Sequence, residues 1–235
     1  MHHTKTVFLL LFATALIVVL FFVALNKTSQ ITITRSTVPL ISDNSFNIPI
    51  DSTDPQYGNP GAPVTVIEFA DISCSKCQKT YYAIHDFVSK HPLDIQMVWK
   101  DAPRSNVLFS GDVLAHQAAQ CAGKQGKFFE FINIAMQNTS HLDEAGLRKI
   151  AEGLGLNVTT WWDCTNSDEI KNKVQTSVDL AGQLGIKDLP AVYINNRAVL
   201  VNADIDVAQL LNQAIQKPEA QPTTDNTTSD TNLGL

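Results

Sequence analysis

Apolar and polar positions recur along the chain in a few well-bounded stretches. Val64 to Ala70 (VTVIEFA) is β-branched and aromatic, follows Gly61-Ala62-Pro63 and precedes Asp71, which predicts a buried strand. Ser73 to His91 carries helical periodicity and Leu93 to Lys100 (LDIQMVWK) alternates as a second strand, giving a β-α-β unit. Four more helical stretches follow, at about 111–123, 127–138, 143–154 and 167–184. Gly123, Gly126, Gly153, Gly155 and Gly185 punctuate them, and Asp143 and Ser167 are the expected N-caps. Ala191 to Ile194, Asn195-Asn196 and Arg197 to Val201 predict a hairpin whose turn suits positive φ, and Ile205 to Ile215 a last helix. These elements sum to an α/β sandwich with a helical insertion.

The ends read differently. Val7 to Leu25 is an uninterrupted apolar run whose polar contribution is the Thr14 hydroxyl. It would span roughly 28 Å, close to the hydrocarbon core of a bilayer. The run exceeds the usual apolar core of a cleaved signal peptide and no A-x-A pair closes it, so an uncleaved anchor over residues 1–27 is favoured over a signal peptide. Residues 28–55 are rich in Ser, Thr, Asn, Asp and Pro and are expected to be a flexible tether; 56–216 form the globular domain, with its helical insertion at about 103–185. The tail 217–235 has almost no large apolar residues and is expected to stay disordered.

Composition narrows the function. The 235 residues are 44% apolar and 17% charged with a net charge of -6, so the chain lacks the basic surface that nucleic acid requires. The same acidity argues against charge-driven contact with anionic lipid and leaves the helix as the membrane contact. Lys5 and the terminal amine lie on one side of the anchor, Lys27 and Arg35 on the other, so charge barely decides orientation. The four cysteines decide it better: structural disulfides persist outside the cytosol, which places residues 28–235 on the extracytoplasmic side.

Cys74-Ser75-Lys76-Cys77 falls at the junction of the first predicted strand and helix. A helix N-terminus stabilises negative charge, so Cys74 is placed to be a reactive thiolate and Cys77, one turn further in, a resolving thiol. Lys76 adds a positive charge that salt would screen. Half of a zinc site and a purely structural bridge are the alternatives for this C-x-x-C. Cys121 and Cys164 read as one disulfide clamping two helices, with free buried thiols as the alternative. His85, His91, His116 and His141 have no metal-ligand spacing and read as surface or satisfied polar residues. Trp161 and Trp162 are expected to pack the helical subdomain, Phe128, Phe129 and Phe131 to be core, and the sequons at Asn26, Asn138, Asn157 and Asn226 carry no assigned function.

Three motifs in order carry a family resemblance: NPGAPVTVIEFADISCSKC, AAQCAGKQGKFFEFINIAM from Ala118 and LGIKDLPAVYINN from Leu184. Over about residues 56–216 the chain resembles the DsbA-like thioredoxin-fold proteins of bacterial envelopes, in the subgroup with a second disulfide. The resemblance implies a thioredoxin fold with an inserted helical subdomain, preceded here by a single N-terminal transmembrane helix. It implies a thiol–disulfide oxidoreductase without cofactor or metal, in which Cys74 attacks, Cys77 resolves and Cys121–Cys164 is structural. By the same resemblance Pro190 is the cis-proline facing the C-x-x-C, and Leu189 stands where Thr or Val is commoner. Leu189, Ser75 and Lys76 are the expected substrate contacts, the backbone before the proline offering itself to an extended chain. Glu68 is the expected buried acid that takes the Cys77 proton, and Lys100 its expected charge partner, against the alternative of a surface-facing strand Glu.

The expected function is a monomeric oxidase at the bacterial cell membrane, single-pass with its domain in the periplasm or at the cell exterior. Its partners would be reduced or unfolded exported proteins and a quinone-linked membrane oxidoreductase of the DsbB or VKOR type. A reductase or isomerase in the same compartment, and a non-enzymatic module binding peptides or a metal, are the alternatives.

Overall fold

The computed structural model describes residues 41–104, 110–201 and 206–217, together with Thr14, Leu16, Ile17, Val18, Leu20 and Phe21. The chain divides into residues 1–38 and 39–235. In the first unit the described residues are helical and exposed. Among the described residues no helix is long and apolar enough to cross a membrane. The expected anchor, the first part of the tether and the tail beyond 217 lie largely outside them.

The second unit is built on a six-stranded sheet of order β1-β6-β5-β3-β4-β2. The strands are β1 (Ile41–Ser45), β2 (Gln56–Gly58), β3 (Val64–Ala70), β4 (Ile95–Asp101), β5 (Ala191–Ile194) and β6 (Arg197–Val199). β3 lies at the centre, parallel to β4 and antiparallel to β5, and every one of its residues is buried. A strand covered on both faces needs apolar residues at both parities, which VTVIEFA supplies except at Glu68. Val64, Val66 and Ala70 join one core and Ile67 and Phe69 the other.

Helix α1 (Ser75–Lys90) connects β3 to β4 and buries Cys77, Tyr81, Ile84 and Val88 against the first face. The last helix, α7 (Val207–Gln216), packs there too, burying Val207, Leu210 and Leu211 from an Asp206 N-cap. Between β4 and β5 run α2 (Ser110–Gly123), α3 (Phe128–Gln137), a 3-10 turn (Thr139–His141), α4 (Glu144–Gly153), α5 (Val158–Thr165) and α6 (Asp168–Gln183). Ala181 of α6 joins the second core with Ile48 and Tyr193. Asp143 and Ser167 cap their helices as the sequence predicts, accepting from the amides of Gly146 and Ile170.

Three features depart from the sequence expectation. Residues 41–45, inside the expected tether, form β1 along β6, and Ile48 beyond them is buried. β2 adds an edge strand on β4, with Gly58 at φ +95, where a Cβ would meet the Ile95 carbonyl at 2.5 Å. Helix α5 occupies a stretch left unassigned. Its Val-Thr-Thr-Trp-Trp run has weak helical preference, and an Asn157 cap and tertiary packing hold it.

The hairpin turn is as predicted, Asn195 and Asn196 lying at φ 48 and 64. Asn195 also docks on β3, its side-chain oxygen accepting from the Thr65 amide at 2.9 Å and its own amide donating to the Thr65 carbonyl. In the subdomain, a disulfide joins Cys121 of α2 to Cys164 of α5. Trp161 is wholly buried and donates its indole N–H to the Ala118 carbonyl at 2.8 Å, while the Arg148 guanidinium lies 4.2 Å from the Trp162 ring centre.

Candidate active site at the head of helix α1

The chain leaves β3 at Ala70, turns through Asp71–Ser73 and enters α1, with Cys74 as its N-cap. Cys74 is disulfide-bonded to Cys77, and its Sγ accepts from the Cys77 amide at 3.2 Å. Cys74 is half-buried, Cys77 has no exposed surface, and Ser75 and Lys76 between them face solvent. An incoming thiol therefore reaches Cys74 first. No acidic residue occupies the first turn, so the free amides and the helix dipole favour a Cys74 thiolate.

The Leu189–Pro190 peptide is cis. β5 pairs Ala191 with Phe69, and extending that register by one residue sets Pro190 beside Ala70, where β3 hands over to the cysteine loop. Leu189 packs against both cores.

Glu68 lies wholly buried on the α1 face of the sheet, between Trp99 and Val192 in the neighbouring strands. Among the described residues neither carboxylate oxygen has a hydrogen-bond partner, and the same holds for the hydroxyl of Tyr81. Tyr81 follows Cys77 by one helical turn and sets its ring edge-on to Trp99 at 5.8 Å, the strand neighbour of Glu68. Burial pushes the Glu68 carboxyl well above the usual carboxylate range. Burial and the neighbouring Glu68 charge push the Tyr81 phenol up.

Lys100 is not the partner of Glu68. β3 and β4 align Glu68 with Trp99 and Phe69 with Lys100, so the pleat sends the lysine to the opposite face of the sheet. There its ammonium donates to Asp54 at 2.6 Å and to the Pro49 carbonyl at 2.8 Å, pinning residues 49–54 to the domain.

A second buried polar group borders the cysteine loop. Asp71 accepts from the Ser73 amide and hydroxyl, both at 2.9 Å, and from the Arg104 amide at 3.0 Å, and its carbonyl accepts from the Cys74 amide at 3.1 Å. His116 of α2 donates from Nδ1 to Asp101 at 2.6 Å, and its Nε2 accepts from the Ile72 amide at 3.2 Å with Asp71 at 3.6 Å. Asp101 also accepts from Trp99 at 2.9 Å and Gln120 at 2.5 Å. Burial opposes charge on His116, but the hydrogen bonds to Asp101 and Asp71 outweigh it and push its pKa up to about 9. Burial likewise opposes ionisation of Asp71, and the His116 contact with the Arg104 and Ser73 amides brings it down to about 2. Sequence reasoning passed over this group. The available signal was a histidine among Ala115, Ala118 and Ala119, on the helix face that the structure buries.

All four cysteines are paired within the chain, and among the described residues no cluster of three or more His, Cys, Asp or Glu could hold a metal ion.

A parallel β3–β4 core, a C-x-x-C at the head of the helix between them, a cis-proline on the adjoining strand and an inserted helical subdomain with its own disulfide define a DsbA-like protein of the thioredoxin superfamily. The family model described as Thioredoxin matches residues 51–216, and the chain belongs to that family. It is 26% identical over 151 residues to a Na(+)/H(+) antiporter NhaA 3 of Salinispora tropica, covering 64% of this chain and 23% of that protein. The chain thus spans about a quarter of the antiporter relatives it matches. It is also 26% identical to a Probable disulfide bond formation protein D of Bacillus cereus, over 66% of this chain and 75% of that one. Among solved structures, a thioredoxin-like oxidoreductase from Silicibacter pomeroyi DSS-3 superposes with a TM-score of 0.61 at 26% identity, covering 71% of this chain and 92% of that chain.

Proposed function

We propose that this chain is an extracytoplasmic thiol–disulfide oxidoreductase that introduces disulfides into exported proteins. The observation that carries the reading is the asymmetry of the pair: an accessible Cys74 capping α1, bonded to a Cys77 with no exposed surface. A substrate thiolate attacks the Cys74 sulfur, the Cys74–Cys77 bond breaks, and Cys77 leaves as a thiolate. A second substrate thiolate then attacks the substrate sulfur of the mixed disulfide and releases Cys74. The substrate gains a disulfide and loses two electrons, which reside in the Cys74–Cys77 dithiol.

Glu68, held protonated by its surroundings, supplies a proton to the departing Cys77 thiolate and takes it back on reoxidation. Pro190 and the Leu189 backbone receive the extended substrate, with Ser75 and Lys76 at the solvent side of the cysteines. Reoxidation falls to a quinone-linked membrane oxidoreductase of the DsbB or VKOR type. The domain works as a monomer outside the bacterial cytoplasmic membrane, held there by residues 1–27.

The test is the reduction potential of Cys74–Cys77 in the full chain, read by thiol alkylation and mass shift across a glutathione series. A value above about -150 mV supports the oxidase, and one below about -230 mV replaces it with a reductase. A pair that never cycles leaves a binding module.

A further inference from the structure

The His116 imidazole is completely buried, belongs to the helical insertion and performs none of the steps above, yet its Nε2 ends on the loop that delivers Cys74. Two groups of that loop compete for this one nitrogen. The Ile72 amide donates to it at 3.2 Å, which requires an unprotonated Nε2, while the Asp71 carboxylate at 3.6 Å favours a protonated one. Asp71 in turn fixes Ser73 through two hydrogen bonds and the Cys74 amide through a third. On its other side His116 is held by Asp101, which Trp99 and Gln120 also hold, so the ring has no freedom to turn away. The charged and titratable groups facing it are Asp71 at the end of β3 and Asp101 at the end of β4; from its own helix comes the neutral Gln120.

We propose that His116 is a positioning residue for the reactive cysteine, fixing the Asp71–Cys74 loop from the helical subdomain and compensating the Asp71 charge behind Cys74. The inference rests on the proposed exchange chemistry at Cys74. An imidazolium at this place offsets the Asp71 carboxylate and favours the Cys74 thiolate; a neutral side chain there leaves Asp71 uncompensated and disfavours it. Because such coupling is reciprocal, the charge on Cys74 must also alter the protonation of His116.

The experiment uses the full chain. The His116 imidazole is followed by NMR through a pH titration with Cys74–Cys77 oxidised and again with the pair reduced. The rate of Cys74 alkylation against pH is then compared between the wild type and His116→Gln, in which an amide oxygen can still accept from Ile72 but no charge is possible. Expected are a His116 titration displaced upward in the reduced protein, and a Cys74 profile displaced upward by about half a pH unit or more in the variant. That displacement slows alkylation below the thiol pKa by about threefold. Titration curves of His116 that coincide in the two redox states overturn the proposal, as does an unchanged Cys74 profile in a folded variant. A variant that does not fold leaves the wild-type titrations to decide. A wild-type pair that reductant opens but no disulfide substrate or glutathione mixture cycles defeats the proposed function instead, and the two failures are separate readouts.

Discussion

Glu68 is aligned with Trp99 across the β3–β4 pair, and that alignment separates it from Lys100 by the thickness of the sheet. The carboxyl is buried beside Trp99 and Val192 of the neighbouring strands and near Tyr81, and among the described residues neither oxygen has a hydrogen-bond partner. The lysine serves a different purpose, closing the segment before β2 onto the second face. Acid and base therefore make separate predictions.

Glu68 has a folded pKa above its unfolded one, so the native state holds a proton that the unfolded chain releases. Stability then falls as pH rises from the ordinary carboxylate value toward the raised one. Urea unfolding of the oxidised chain from pH 4 to pH 6.5, below the range in which His116 contributes, should show this decline, and Glu68→Gln should flatten it. The same variant should slow the opening of the Cys74–Cys77 disulfide by roughly tenfold or more, measured by stopped-flow with a small thiol. A variant that retains the wild-type slope and rate would contradict both assignments.

Lys100→Met should cost about 3 kcal/mol in urea unfolding, because it leaves the nearly buried Asp54 carboxylate without its cation. The reduction potential of Cys74–Cys77 should not move, since the lysine acts on the other side of the sheet. A displaced potential would restore a link between Lys100 and the redox site.

Replacing Cys121 and Cys164 by alanine removes a clamp between α2 and α5. The expected loss is about 2–4 kcal/mol of unfolding free energy, with the insulin-type thiol exchange rate of the folded protein retained. Differential scanning calorimetry and an exchange assay below the new midpoint separate the two effects.

His116 and Asp71 bound a pH window. The histidine's raised pKa contributes stability that is complete below its ordinary value of 6.5 and lost as pH rises through about 9. Asp71, depressed to about 2, contributes stability present above 3.8 and lost as pH falls toward 2. Unfolding free energy of the wild type should decline on the alkaline side between pH 6.5 and 9, and His116→Gln should show a shallower limb, the Glu68 contribution remaining. An alkaline limb of equal depth in the variant would assign it to other groups.

What the sequence by itself determined is local. The C-x-x-C at a strand-to-helix junction, the Asp143 and Ser167 caps, and the Asn195-Asn196 turn are each set by neighbours within a few residues, and each stands in the structure where the sequence puts it. The cis geometry at Pro190 was legible through family resemblance, because Leu-Pro alone is usually trans. Tertiary structure decided the rest. The strand character of 41–45 depends on a partner, β6, that lies far along the chain, and the helix at 158–165 on packing around Trp161. The separation of Lys100 from Glu68 follows from inter-strand register, which shifts by whole residues and flips every side chain with it. His116 looks ordinary in the sequence and meets its ligands only when the ends of β3 and β4 and the face of α2 come together, contacts 44 and 15 residues apart in the chain. Periodicity reports which face of an element is buried; what it is buried against is fixed by long-range packing alone.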